Sequence, residues 1–237
     1  MSRQRPRARR TLRSAAVAQA LLLGLVLAGC SGTPDPRPVT GEEAQRLAVA
    51  RLSVYEAHLV DLDLQVPVQG QTLHMSGRAD MRTHAASVVV TTQDRPPRYA
   101  LLQWDLDRSA LLELPSATAP ATLPTTGWQV AAIDPTDALG SALRITLNLA
   151  SDRPENPVLL QQNGAQLVGT DTVDGTKVDV FTAPGADGRT DERLHYLVDA
   201  KGTLHRVDAD TGADDHLVIT LRPSSSTAPV TLTPSLG

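Results

Sequence analysis

The sequence predicts an α+β fold, in which one curved antiparallel sheet (an unclosed half-barrel) is covered by helices on its concave face. Residues 60–114 and 166–221 alternate apolar and polar side chains between turn residues, a pattern typical of strands with one buried and one solvated face. A segment with helical periodicity separates these two stretches, and another precedes the first. Strands grouped on either side of helices favour an α+β architecture.

Helix signals appear in three places. Thr40 and Glu43 have the spacing of a capping box and predict the start of the first helix. Between the two groups of strands, residues 134–150 are expected to be helical, and a short helix after them should end just before Gly164, which suits a left-handed position. The apolar residues that share one face of the 134–150 helix are Leu139, Leu143 and Leu147.

The strand signals include one regular hairpin and one tight turn. The dipeptide Asp174-Gly175 predicts a two-residue turn between strands 166–173 and 176–182. The alternating apolar positions of the first hairpin are Val60, Leu62, Leu64 and Val66, then Leu73, Met75, Ala79 and Met81 after a turn around Gly70.

The N-terminus has the organisation of a secretory signal. An Arg-rich start precedes the mostly apolar stretch Ala15–Leu27, which is too short to span a bilayer comfortably because a transmembrane helix needs about 20 apolar residues. The following Leu27-Ala28-Gly29-Cys30 resembles a bacterial lipobox, so we expect lipidation of Cys30, the only cysteine. An ordinary signal with an incidental cysteine is the alternative. The pair Arg9-Arg10 leaves Sec and twin-arginine export both open.

These features divide the chain into four parts. We predict a lipoprotein signal peptide at 1–29, a Pro-rich tether at 30–39, a folded domain at 40–223 and a flexible Ser/Thr/Pro-rich tail at 224–237. The expected location is the outer face of the cytoplasmic membrane, with the lipid as the anchor. The formal net charge is −4, and the predicted mature part is more acidic because the signal is basic, which argues against a nucleic-acid partner.

No catalytic motif is recognisable, and we expect no enzyme activity and no cofactor. The sequence lacks the HExxH, CxxC, GxSxG, P-loop and GxGxxG patterns. His195 and His205 could meet across a late hairpin, but two imidazoles alone make a poor zinc site. Clustered aspartates between Asp208 and Asp215 form either a solvated turn or, less readily, a calcium site, since their spacing does not match an EF-hand. We therefore predict no metal.

The order of elements resembles the LolA-like superfamily, closest to actinobacterial lipoproteins of the LppX/LprG type. The segments that carry the resemblance, over residues 40–223, are LHMSGRADMR, WQVAAIDP, GTDTVDGTKVDVFTA and LHYLVDAKGTLHRVDAD. Family members often have an aromatic residue where Leu197 precedes Val198-Asp199 here. The resemblance implies an unclosed barrel that holds acyl chains between its sheet and its helices.

Two interpretations of function follow, neither of them catalytic. The first is a lipid-binding or lipid-carrying lipoprotein, since aromatics form only 3% of the chain and an aliphatic lining suits acyl chains. The second is an envelope interaction or sensing module with a packed, ligand-free core. The residues predicted to line a ligand cavity are Leu62, Leu64, Leu73, Met75, Leu139, Leu143 and Leu147.

Overall fold

The structure is a computed structural model that describes residues 35–184, 190–210, 216–233 and Leu236. The helices are α1 (Gly41–Ala48), α2 (Ala50–Ala57), α3 (Ala138–Leu147) and α4 (Pro157–Gln162). The strands are β1 (Arg37–Pro38), β2 (Leu59–Val68), β3 (Gln71–Asp80), β4 (Ala85–Thr91), β5 (Tyr99–Trp104), β6 (Arg108–Leu114), β7 (Gln129–Ala132), β8 (Gln166–Val173), β9 (Thr176–Pro184), β10 (Thr190–Val198), β11 (Leu204–Ala209) and β12 (Leu217–Pro223). The predicted signal peptide and Cys30 lie outside the described residues.

One antiparallel sheet contains all of these strands. Their order is β1-β8-β9-β10-β11-β12-β2-β3-β4-β5-β6-β7, so β1 and β7 are the two edges and the sheet does not close. The last strand returns to the middle of the sheet, where Ile219 of β12 pairs with Leu64 of β2. The predicted α+β fold with an unclosed half-barrel sheet is confirmed.

The helices cover one face of the sheet, and the main hydrophobic core lies between the helices and that face. Contacts between α3 and β2 and between α2 and β11 place both helices on that face, which we call the concave face. Leu64, Met75 and Leu143 are buried there. The indole Nε1 of buried Trp104 on β5 donates a hydrogen bond of 3.1 Å to the backbone oxygen of Leu143 on α3, so one strand and one helix are joined by a polar contact inside the core.

The predicted helix starts and turns are mostly confirmed. Thr40 caps α1 and forms the full capping box with Glu43. Gly164 lies just beyond α4 with φ +84°, and the turn residues Asp174 and Gly175 have φ +48° and +80°, as a two-residue hairpin turn requires.

The prediction for the 134–150 helix was too long at both ends, because α3 spans only Ala138–Leu147. Its N-cap is Asp137, whose carboxylate accepts a hydrogen bond of 2.6 Å from the Gly140 amide. The carboxylate of Asp134 instead accepts from the amide of Thr136 at 2.8 Å, which stabilises a turn before the helix. The backbone there lies close to α3, since a Cβ on Gly140 would be 2.0 Å from the Asp134 oxygen.

The end of the predicted tether is part of the domain. Arg37 and Pro38 form β1 and pair with β8, and the Val39 amide donates to the oxygen of Ala165 at 3.1 Å. The Arg37 guanidinium also binds the Glu43 carboxylate through two hydrogen bonds of 2.8 and 2.7 Å. A two-residue strand that contains a proline carries no periodic signal, which is why the sequence predicted an unstructured spacer up to residue 39.

The predicted flexible tail also differs from the structure, because residues 224–233 pack on the convex face of the sheet. Alternation along β5 places Leu101 and Gln103 on that face, opposite Leu102 and Trp104. Both convex residues are nevertheless buried. The Gln103 amide donates to the oxygen of Thr231 at 3.1 Å and accepts from the amide of Thr233 at 2.7 Å. The tail therefore covers side chains that the sheet would otherwise expose.

Candidate ligand cavity

A cavity of about 950 Å³ opens between α3, α4 and the strands β10 and β11. This volume is in the range of roughly 300–1,000 Å³ that is common for small-molecule sites. The buried residues of its wall, which we call the floor, are Leu149, Leu160, Tyr196 and Ala209. The exposed or half-exposed polar residues that surround them, which we call the rim, include Asp137, Arg144, Asn148, Asp191 and Arg193.

Helix α3 separates the cavity from the core because its two faces differ. Leu143 and Leu147 are buried in the core. Ala138, Ser141 and Ile145 line the cavity, and their spacing of three and four residues puts them on one common face. The cavity side of the helix is thus mixed in polarity, whereas its core side is mostly aliphatic.

The seven residues predicted to line a cavity lie together in the core and do not line this one. Leu62, Leu64, Met75, Leu143 and Leu147 are at most 2% exposed, while Leu73 and Leu139 are partly buried and pack against the same cluster. Their contact with a ligand stays a prediction. The helical period identified the apolar face of α3 correctly, but no apolar signal marks the face that lines the cavity.

Arg51 fixes the end of α3 beside the cavity. Its Nη1 binds Oε1 of Glu155 at 2.9 Å, and its Nη2 donates to the oxygen of Asn148 at 2.9 Å. The backbone oxygen of Arg51 in turn accepts from the amide of Ser151 at 3.1 Å. In the sequence, Arg51 interrupts the apolar face of the first helical segment. The structure explains this position, since a cation there stabilises the C-terminal carbonyl groups of α3.

Tyr196 is the floor residue that carries a hydroxyl group. The residue is 3% exposed, and none of the described residues forms a hydrogen bond with its hydroxyl. Burial raises the pKa of the phenol to about 12, with Arg51 lowering it and Glu155 raising it by smaller amounts. The group is therefore protonated at neutral pH and can donate a hydrogen bond.

Part of the mouth of the cavity is apolar. Val158 and Leu159, adjacent residues of α4, are 55% and 50% exposed, and Leu159 lines the cavity. On the opposite side of the opening, Arg193 and Asp191 form an ion pair of 3.4 Å. The opening thus presents aliphatic groups from the helix and charges from β10.

The two histidines singled out in the sequence do not form a common site. His195 is opposite Asp208 in the β10–β11 pairing, and His205 contacts Asp199 through Nε2 at 3.1 Å. Asp208 is bound by Arg206 at 2.7 Å. Residues 211–215 of the acidic cluster lie outside the described residues. Within the described ranges, no group of three or more His, Cys, Asp or Glu side chains could hold a metal ion.

Comparison with known proteins does not assign this chain to a family. No protein-family model matches the chain, and no curated protein matches it. Among solved structures, a DUF1329 family protein from Desulfovibrio piger is similar to this chain at 12% identity and a TM-score of 0.27, covering 76% of this chain and 90% of that one. A TM-score this low carries no argument about fold or function. In the part of the chain that the structure describes, no helix is long and apolar enough to cross a membrane.

Proposed function

We propose that this chain is a membrane-anchored lipoprotein whose domain binds or carries a lipid, or another hydrophobic ligand, in the cell envelope without catalysis. The observation that carries the proposal is the cavity of about 950 Å³ between helices and sheet, with its largely aliphatic floor. The LolA-like resemblance of the sequence, with its lipobox at Cys30, supports the same function. The anchor would hold the domain at the outer face of the cytoplasmic membrane.

Burial of hydrocarbon would supply the binding free energy at such a site. Each methylene group moved from water to an apolar surface gains about 0.8 kcal/mol, so an acyl chain needs no charged anchor to be held. Leu149, Leu160 and Ala209 provide the apolar contact surface. The polar rim leaves room for a headgroup to stay in water, which suits an amphiphile better than a pure hydrocarbon.

Native mass spectrometry of co-purified lipids tests this function. The mature chain, Cys30–Gly237, would be produced without residues 1–29 so that its thiol is free. We expect a bound lipid on the wild type and lower occupancy in Ile145→Trp, because the larger side chain projects into the cavity. Val130→Trp on β7, an edge strand whose valine is 44% exposed, is the matched control and should keep the wild-type occupancy.

One result would contradict lipid binding, and another would contradict the assignment of the lipid to this cavity. The first is a wild-type protein that never carries a lipid, even after incubation with membrane extract. The second is equal occupancy in Ile145→Trp and Val130→Trp, both still melting cooperatively near the wild-type temperature. That second result would place the ligand elsewhere.

The alternative function, a protein-interaction or sensing module, is favoured by the exposed Val158 and Leu159. Large contiguous apolar patches often mark protein-interaction sites, and these two residues could belong to one. A ligand-free domain that loses a protein partner in Val158→Asp, with its melting temperature unchanged, would support this alternative.

A further inference from the structure

The floor of the cavity contains a polar group that the protein itself does not satisfy. Tyr196 is 3% exposed and lines the cavity, yet no described residue hydrogen-bonds its hydroxyl. Buried polar groups are hydrogen-bonded in the great majority of cases. A missing partner at this position therefore points to the occupant of the cavity.

The hydroxyl has free space next to it. The side-chain polar atoms of the described residues that are both fully enclosed and without a partner are Nε of Arg46, Nε of Arg51 and Oγ1 of Thr233. The Tyr196 oxygen is not among them although it too has no partner, so it is accessible. Because Tyr196 lines the cavity, that access is from the cavity side.

The electrostatics of the floor favour a neutral hydrogen-bond acceptor. Arg51 and Glu155 lie beside Tyr196 and neutralise each other through a contact of 2.9 Å. The pKa of Tyr196, near 12, keeps the hydroxyl protonated, so it can offer a donor. A free carboxylate at this depth would have to lose its hydration without gaining an unpaired cation. A neutral carbonyl oxygen would lose much less.

We infer that Tyr196 donates a hydrogen bond to the ester carbonyl of an acylated ligand, whose hydrocarbon chain lies against Leu149, Leu160 and Ala209. This inference rests on the proposed lipid-binding function and adds the chemical class of the ligand. An acyl ester combines one neutral acceptor for the hydroxyl with an aliphatic chain that can contact the apolar residues of the floor.

Two probes that differ only at the carbonyl test the inference on the mature chain. They are 1-palmitoyl-lysophosphatidylglycerol, which has the ester, and its 1-O-hexadecyl ether counterpart, which does not. Both have the same headgroup, so contacts with the rim cancel in the ratio of their dissociation constants. Binding would be measured below the micelle concentration. We expect the wild type to prefer the ester about three- to tenfold, the usual value of one hydrogen bond.

Tyr196→Phe removes only the hydroxyl and should reduce this preference to about one, by weakening the ester and leaving the ether unchanged. The matched control is Tyr99→Phe on β5, away from the cavity, which should keep the wild-type ratio. An ester-to-ether ratio that survives Tyr196→Phe would overturn the inference while leaving lipid binding intact. If neither probe binds the wild type, the inference fails, and the proposed function fails with it only if no lipid co-purifies with the mature chain either.

Discussion

Glu43 connects the first strand to the first helix, and its ionisation should contribute measurably to stability. Its carboxylate accepts two hydrogen bonds from Arg37 and one of 2.8 Å from the Thr40 amide. These contacts, chiefly the one with Arg37, lower its pKa from 4.5 to about 2. A carboxyl group with a lowered pKa in the folded state stabilises the protein above its unfolded pKa, and this contribution is lost as the pH falls towards the folded value.

The expected size follows from the shift. Each pKa unit corresponds to about 1.4 kcal/mol, so the full shift would give about 3 kcal/mol. Arg37 is roughly half exposed, and solvent screening reduces the contribution to about 1–2 kcal/mol. The change to test is Glu43→Gln, which removes the charge and keeps the shape.

Urea unfolding of both proteins at pH 7, 4.5, 3 and 2 provides the assay. We expect Glu43→Gln to be less stable by about 1–2 kcal/mol at pH 7, with the difference disappearing between pH 4.5 and 2. Glu42→Gln is the control, because Glu42 is the exposed neighbour of Glu43 on α1. A stability difference for Glu43→Gln that stays constant from pH 7 to pH 2 would refute the argument.

Four further predictions follow. Gly77→Ala should cost about 2 kcal/mol or more in thermal or urea unfolding, since its Cβ would lie 2.2 Å from the Ser87 oxygen; Gly41→Ala, with nothing within 4 Å, should not. Leu143→Trp should overpack the core and cost roughly 1–3 kcal/mol by the same measurement, because Leu143 is 2% exposed. Gln103→Leu should release the 224–233 segment and speed its hydrogen exchange, with exchange in β2 unchanged. Cys30→Ser should abolish palmitate labelling and leave the precursor uncut; persistent labelling would refute the anchor.

Local signals in the sequence predicted the frame of the domain. The capping box at Thr40 and the Asp174-Gly175 turn depend on neighbouring residues only, so their chemistry can be recognised without the fold. Period-two alternation likewise placed β2 and β3 within a few residues. Local preference failed at α3, where Asp134 and Asp137 both have suitable side chains: Asp134 stabilises a turn through Thr136, and Asp137 caps the helix.

The cavity could not be predicted in the same way. Its floor combines Leu149, Leu160, Tyr196 and Ala209, which come from separate segments of the chain. The most apolar and regular positions, such as Leu64 and Met75, pack tightly because regular apolar faces bury each other well. A cavity forms where complementary packing is absent, here on the mixed face of α3, and hydrophobic periodicity gives no sign of such a place.

The pairing of β1 with β8 limits how far the domain can move from its proposed anchor. From Cys30 to Arg37 a fully extended chain reaches at most about 25 Å. The chain enters the domain beside α4, where the Gln161 amide donates to the Val39 oxygen at 3.1 Å, and α4 borders the mouth of the cavity. Under the proposed anchor at Cys30, such a short tether would keep the effective concentration of membrane lipid around the domain in roughly the millimolar range. Even a weak site would then remain occupied, and exchange with the bilayer would occur without diffusion through the surrounding medium.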